Sequence, residues 1–340
     1  MSGVSCRPSS GADGRRGRGW AVLMLTLAPA CWAVSFPIMR ALQLLQPDLA
    51  PGCSSWFFSG AGVAYRFGLA GVLMAFWCLL GAGAPTRREI EQGVVLGLWS
   101  SAGMVLQMDG LAYTHASISA FLTQGYAIFI PLWQALRRRR LPSLRLLLAA
   151  AAVLAGVGVL SGMTLRDLRM GRGELETLAA AVMFTGQILW LEHPRYAGND
   201  FRRFSTAMFF VMALFGAGIG FWACPRPEAW ARIYAGAAPL AMLALLVVVC
   251  TLGGYLLMNR WQREVSAAEA GLIYCAEPVF ASLWAMWLPG LLAGWAGVAY
   301  ANETVTWRLA VGGGLILAAN VWVQLSPEPE ELPSPIPEPH

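Results

Sequence analysis

At 340 residues, with 57% hydrophobic and only 13% charged side chains, the chain departs far from soluble proteins, in which those shares are about 45–50% and about 25%. The net charge of +5 comes from Arg alone, since Lys is absent. This excludes an ordinary soluble globule and points to an integral membrane protein, whose abundant Gly and Trp fit close helix packing and aromatic interfaces.

Residues 1–19 are polar, Gly-rich and basic (Arg15, Arg16, Arg18) and read as a disordered cytoplasmic tail. The next apolar run, Trp20–Leu45, contains an Ala28-Pro29-Ala30 resembling a cleavage site, but it continues well beyond it. A span needs about 20 apolar residues, so the run predicts a retained first helix. Further runs near 57–80, 93–112, 119–136, 144–163, 174–191, 204–223, 237–258, 267–288 and 306–325 predict ten transmembrane helices in all. Residues 326–340 are Pro- and Glu-rich and read as a second disordered tail.

The distribution of Arg orients these spans. With the N-terminus in the cytoplasm, sixteen Arg fall inside, among them Arg137 to Arg140, and six outside, among them Arg172 and Arg226. Arg40 and Arg66 lie within spans. Both termini are therefore expected in the cytoplasm. The Arg137–Arg140 run reads as a topology determinant between two spans, and no nucleic-acid partner is expected. The seven Cys form no CxxC pair, and nothing in the sequence joins Cys53 to Cys224, although both fall in expected outer connections. His115, His193 and His340 do not converge with other ligands, so no metal or other cofactor is expected.

Val265–Leu288 carries the strongest signal: an apolar run with one carboxylate, Glu277, followed by Pro278. A carboxylate there is costly against lipid and is expected to face protein or a watery cavity. Proline removes a backbone donor and loosens the turn before it. Thr114–Phe129 aligns without gaps on Val265–Phe280, an offset of 151 residues that puts Tyr126 opposite Glu277. Ala155-Gly156 pairs with Ala319-Asn320 at an offset of 164, which locates about 13 extra residues at 289–301. The echo predicts an all-α integral membrane fold of two five-helix repeats, 20–163 and 174–325. An odd number of spans in each half makes the repeats inverted, an architecture of secondary transporters with a site near the midplane.

The chain resembles the EamA-type members of the drug/metabolite transporter superfamily. The resemblance covers nearly everything between the tails. It is carried by Cys31-Trp32-Ala33-Val34-Ser35-Phe36-Pro37-Ile38-Met39-Arg40, by Tyr65-Arg66-Phe67, by Leu111-Ala112-Tyr113-Thr114 and above all by Glu277-Pro278-Val279-Phe280. Asn302-Glu303 followed by Leu315-Ile316-Leu317-Ala318 is similar to the family's ending. The sequence departs from the pattern where it lacks a proline at position 127 (Pro131 stands nearby) and where Arg138 replaces a usual Glu. The resemblance implies a ten-helix transporter of small metabolites working by alternating access.

Glu277 reads either as a partner for a cationic group or coupling proton, or as a packing residue bonded to a neighbouring helix. Tyr274 lies one turn earlier and shares its face. Arg40 and Arg66 suit a carboxylate or phosphate, but could equally snorkel or pair with Asp109. Trp32, Ser35, Phe36, Gln107, Gln124, Tyr126, Gln187 and Asn259 either line a pathway or bond helix to helix. The leading function is a secondary transporter of a small metabolite such as an amino acid, coupled to protons or to a counter-substrate, in a lipid bilayer. A membrane-embedded transferase and a non-transporting scaffold are the alternatives. An enzyme would want a compact His/Asp/Ser/Cys cluster or a phosphate-binding Gly loop, and none is legible; Gly312-Gly313-Gly314 lies in an apolar helix. The missing Lys points to a GC-rich genome and a bacterial inner membrane.

Overall fold

The computed structural model describes residues 11–110, 113, 119, 122–139, 142–161, 171–304 and 306–325. Every regular element among the described residues is helical. The first part of the chain supplies α1 (Gly11–Ala33), α2 (Ser35–Leu49), α3 (Ser55–Trp77), α4 (Arg87–Gly110), α5 (Tyr126–Arg138) and α6 (Leu144–Ser161). The second supplies α7 (Arg172–Leu191), α8 (Phe201–Ala223), the short α9 (Pro227–Arg232), α10 (Ala237–Leu245), α11 (Gly254–Trp261), α12 (Ala267–Tyr274), α13 (Glu277–Ala285), α14 (Leu288–Ala296) and α15 (Trp307–Leu325). Short π-helical turns extend α3 (Cys78–Ala82) and join α10 to α11 (Leu246–Gly253).

Among the described residues four stretches are long and apolar enough to cross a membrane: Arg18–Leu49, Ser55–Ala82, Phe201–Ala223 and Ala237–Glu264. A fifth arises if Ala267–Ala285 and Leu288–Ala296, bent by 59° against each other, form one broken span. Of the remaining expected runs, those at 144–163 and 306–325 hold the shorter apolar helices Leu144–Val159 and Trp307–Ala319, and α4 begins with Arg87, Arg88 and Glu89. Large apolar side chains cover the outside: Leu79, Leu136, Leu214 and Trp222 are each more than 70% exposed. In water such a surface would be a liability; against hydrocarbon it is the expected exterior.

The interior is close-packed. α3 lies along α8, α4 along both α7 and α8, α6 along α15, and α1 along α11. The α3–α8 contact depends on Gly60, where an added Cβ would stand 2.7 Å from the backbone N of Gly220 and 2.8 Å from the carbonyl O of Gly216. Only glycine allows backbones this close.

Charged pairs gather at the ends of the helices. At one end Glu89 accepts from the backbone N–H of Thr86 (2.6 Å) and Asp200 (3.0 Å), with Arg203 3.5 Å away. At the other, Arg172 donates to Asp109 (2.5 Å) and Glu176 (2.8 Å) and lies over the Tyr113 ring at 4.0 Å.

Two sequence expectations need correction. Residues 11–19 are helical rather than disordered, because α1 begins at Gly11 and Arg18 reaches Glu269 in an ion pair. The expected single helix over 267–288 is broken after Tyr274 and again before Leu288, and the extra residues at 289–301 lie mostly in α14. The tails at 1–10 and 326–340 lie outside the described residues.

Candidate functional site

The site is built around the first of those breaks. Ser266 caps α12: its hydroxyl accepts from the Glu269 N–H while the Glu269 carboxylate accepts from the Ser266 N–H, which fixes where the helix begins. The helix stops after Tyr274 and restarts at Glu277 with Pro278 as its second residue. Pro278 has no N–H to give the carbonyl of Tyr274, and its ring crowds that carbonyl, so the turn opens there. Glu277 is thus delivered from a helix start into the interior.

It faces a cavity enclosing about 640 Å³ of empty space, the part open to solvent included. Nine of the twelve residues singled out from the sequence line it. Trp32, Ser35 and Phe36 come from α1 and α2, Arg66 from α3 and Gln107 from α4. Tyr126 comes from the start of α5, Gln187 from α7, Tyr274 from the end of α12 and Glu277 from the start of α13.

Two opposite charges share this space without touching. Arg66 is buried, and its Nε donates to the hydroxyl of Thr251 at 2.5 Å. That hydroxyl donates in turn to the carbonyl of Leu246 at 2.9 Å, inside the π-helical turn. The π turn therefore presents the acceptor that aims the guanidinium, a use such turns often have at working sites. The terminal nitrogens of Arg66 and the carboxylate of Glu277 have no hydrogen-bond or ion-pair partner among the described residues, although Arg66 is near enough to act on Glu277 through space. With Nε engaged, the edge formed by the two terminal nitrogens of Arg66 remains free for planar bidentate recognition of a carboxylate or phosphate.

The wall between them is aromatic. The Trp32 ring meets Tyr274 edge-on at 5.2 Å and Tyr255 at 5.7 Å. It can pack there because Gly254 lies against it; a Cβ at that position would collide with the indole nitrogen. Two of the cavity's phenols are committed, Tyr274 donating to Gln262 (2.9 Å) and Tyr126 to Gln124 (2.7 Å). The buried indole N–H of Trp32 packs against Gly254 and has no acceptor among the described residues. Gln107 donates to Thr123 at 3.0 Å and Gln187 reaches the Met258 sulfur at 3.5 Å, so neither amide is fully used.

Three expected residues do not reach the cavity wall. Gln124 is buried one layer behind Tyr126. Asn259 is buried against Ser205 (2.8 Å) and the Met208 sulfur (3.7 Å), a helix-to-helix bond. Arg40 is exposed on α2, near Tyr300. The expected pairing of Arg40 or Arg66 with Asp109 is also corrected, since Asp109 is held by Arg172, which enters from the start of α7.

Sequence reasoning missed seven lining residues, including Thr123, Tyr255 and Met258. Tyr255 left a signal, a phenol inside an apolar run; the methionines left none.

Twenty-eight chains of solved structures match the protein. One of them, described only as "Crystal structure of protein", superposes with a TM-score of 0.62 at 17% identity, covering 91% of this chain and 98% of its own. The likeness is one of fold. No family model matches the chain, and no curated protein matches it.

Proposed function

We propose that this protein is a secondary transporter of the EamA type, which carries a small zwitterionic metabolite such as an amino acid across a membrane by alternating access. The observation that carries the proposal is the shared cavity of Glu277 and Arg66, two unpaired opposite charges lined from both parts of the chain. In the bound state the substrate's ammonium lies at Glu277 and its carboxylate on the free edge of Arg66. Its body lies against Trp32, Tyr255 and Tyr274, where a cation over aromatic faces gains about 0.5–2 kcal/mol. Desolvated charges are costly alone, so an occupant that neutralises both is favoured over water.

The ten helical stretches are read here as ten spans in two inverted halves. The packing favours this reading, because exchanging each stretch with the one five places later maps contacts onto contacts. α4 on α7 becomes α11 on α1, α5 on α7 becomes α12 on α1, and α3–α8 and α6–α15 map onto themselves. Rocking of one half against the other would expose the cavity to each side in turn. With both termini in the cytoplasm of a bacterial inner membrane, coupling passes through protonation of Glu277 or through exchange for a counter-substrate.

The test is counterflow in liposomes holding the purified protein, with radiolabelled amino acids and related metabolites. Counterflow of at least one zwitterion, lost in Glu277→Gln and weakened for carboxylate-bearing compounds in Arg66→Lys, supports the proposal. Absence of counterflow from folded protein across the panel would overturn it and move weight to a membrane-embedded enzyme or scaffold.

A further inference from the structure

Away from the cavity, two cysteines that lie 171 residues apart in sequence meet at one end of the helices. Cys53 lies in the turn between α2 and α3, and Cys224 directly follows α8. Their sulfurs are 2.7 Å apart. Each is fixed by its surroundings rather than by the other. The Cys224 N–H donates to the carbonyl of Gly220 at 2.9 Å, and the sulfur packs in an apolar cluster with Ala50, Phe57 and Ala229. Arg226 locks the opposite side: its Nη2 donates to the carbonyl of Pro51 (2.9 Å) and to the Cys53 sulfur (3.0 Å), and its Nε to the Cys224 sulfur (3.4 Å).

We propose that Cys53 and Cys224 are a redox-active pair that closes to a disulfide, fastening the α2–α3 turn to the end of α8. Sulfurs 2.7 Å apart need to close by only about 0.7 Å to reach a disulfide's length of about 2.0 Å. Arg226 decides against the competing use of such a pair. A guanidinium already donating to both sulfurs occupies the place a metal cation would take, and its positive charge repels one. Toward oxidation the same charge helps, because the thiolate is the attacking species. Burial alone would push the Cys224 thiol up, but hydrogen bonds from Cys53 and Arg226 outweigh it and hold the thiol below its ordinary value.

The reaction is exchange with a small disulfide such as oxidised glutathione. Burial and the hydrogen bond with Cys224 hold the Cys53 thiol above its ordinary value, so exposure rather than acidity makes Cys53 the first to attack, forming a mixed disulfide and releasing one glutathione thiolate. Cys224 then attacks the Cys53 sulfur, the Cys53–Cys224 bond forms, and the second glutathione thiolate leaves. The two protons of the protein thiols pass to the two departing thiolates. Two protein thiols are oxidised by two electrons and one external disulfide is reduced. The product joins α2 and α3 to α8, so these ends can no longer separate whatever moves elsewhere. On the orientation expected from Arg, this end faces outward, where such oxidants persist.

The full-length protein in detergent is exposed to oxidised glutathione, denatured, alkylated with iodoacetamide and analysed by mass spectrometry. Reduced protein should show all seven cysteines alkylated. Oxidised protein should show two fewer, with one peptide pair joining Cys53 to Cys224, reversed by dithiothreitol. Cys53→Ser should lose no thiols, and wild-type protein alone should melt higher when oxidised. Seven alkylated cysteines after oxidation, a bridge joining other cysteines, or a lasting glutathione adduct on Cys53 beside a free Cys224 would each overturn the proposal. The wild-type comparison stands on its own if Cys53→Ser fails to fold.

Discussion

Tyr126 and Glu277 stand at corresponding points of the chain: each is the first residue of a helix that restarts after a break, and both line the same cavity. The break before Tyr126 falls at Gln124-Gly125, where the Gly125 N–H turns back to the carbonyl of Leu122. The break before Glu277 is made by Pro278. The two positions differ in what they leave available. The phenol is bonded to Gln124, whereas the carboxylate has no hydrogen-bond or ion-pair partner among the described residues.

That difference predicts unequal mutants. Tyr126→Phe removes a bond internal to the protein and should shift substrate affinity less than about threefold, with about 1 kcal/mol lost in stability. Glu277→Gln removes a charge-assisted contact to the substrate, about 1.5–3 kcal/mol, which is about tenfold to a hundredfold in Kd. Titration of a transported zwitterion against both purified variants checks this. Equal losses would place the two residues in equivalent roles.

The Asp109–Arg172 pair should respond asymmetrically. The Asp109 side chain is fully buried and one of its oxygens has no hydrogen-bond partner among the described residues, whereas Arg172 is 45% exposed. Arg172→Ala strands a buried carboxylate and should cost about 3 kcal/mol. Asp109→Asn keeps an acceptor for Arg172 and should cost about 1 kcal/mol. Thermal unfolding of the two variants in the same detergent measures the ratio, and a larger loss for Asp109→Asn would reverse the assignment.

Glu89 should contribute to the acid limb of stability. Burial alone would push its carboxyl up, but the backbone N–H groups of Thr86 and Asp200, the Thr86 hydroxyl and Arg203 outweigh it and hold it below the usual carboxylate range. A depressed folded value means stability that is complete above the unfolded value of about 4.3 and lost as pH falls through the folded one. Glu89→Gln should therefore cost about 2 kcal/mol near pH 7 and lose less than wild type on acidification from about pH 5. Asp200 is likewise held down, first by its bond to Arg202, so the variant flattens the limb only in part. Melting temperatures across that range decide it; parallel curves would remove Glu89 from the acid response.

Gly60 should tolerate nothing larger. Its missing Cβ lets α3 meet the backbone of α8 at Gly216 and Gly220, so Gly60→Ala must push the helices apart. Overpacking of this kind costs about 1–3 kcal/mol, and Gly60→Leu should prevent stable folding. Exposed Gly218, with open space around it, is the control: Gly218→Ala should change little. Detergent melting curves of all three variants make the comparison.

Much of the site was legible from the sequence because its signals are local. One carboxylate in an apolar run, a proline after it and polar or aromatic residues in neighbouring runs are costly wherever the chain goes, and nine of the twelve residues chosen that way line one cavity. At the site, the failures were relations between distant segments. Arg40 and Asn259 carry the same local signal as Arg66 and Gln187, yet one is exposed and the other is spent on Ser205.

The sequence by itself determined the class of protein, the helical runs and the odd charge at Glu277, since composition and period fix what each segment can bury. Only the tertiary structure decided that Arg66 is aimed by Thr251 into the cavity of Glu277, that Asp109 belongs to Arg172, and that Cys53 meets Cys224. Those pairings depend on which helices cross and at what height. Small residues such as Gly60 and Gly254 set that by permitting contact, and contact across a fold leaves no trace in local sequence.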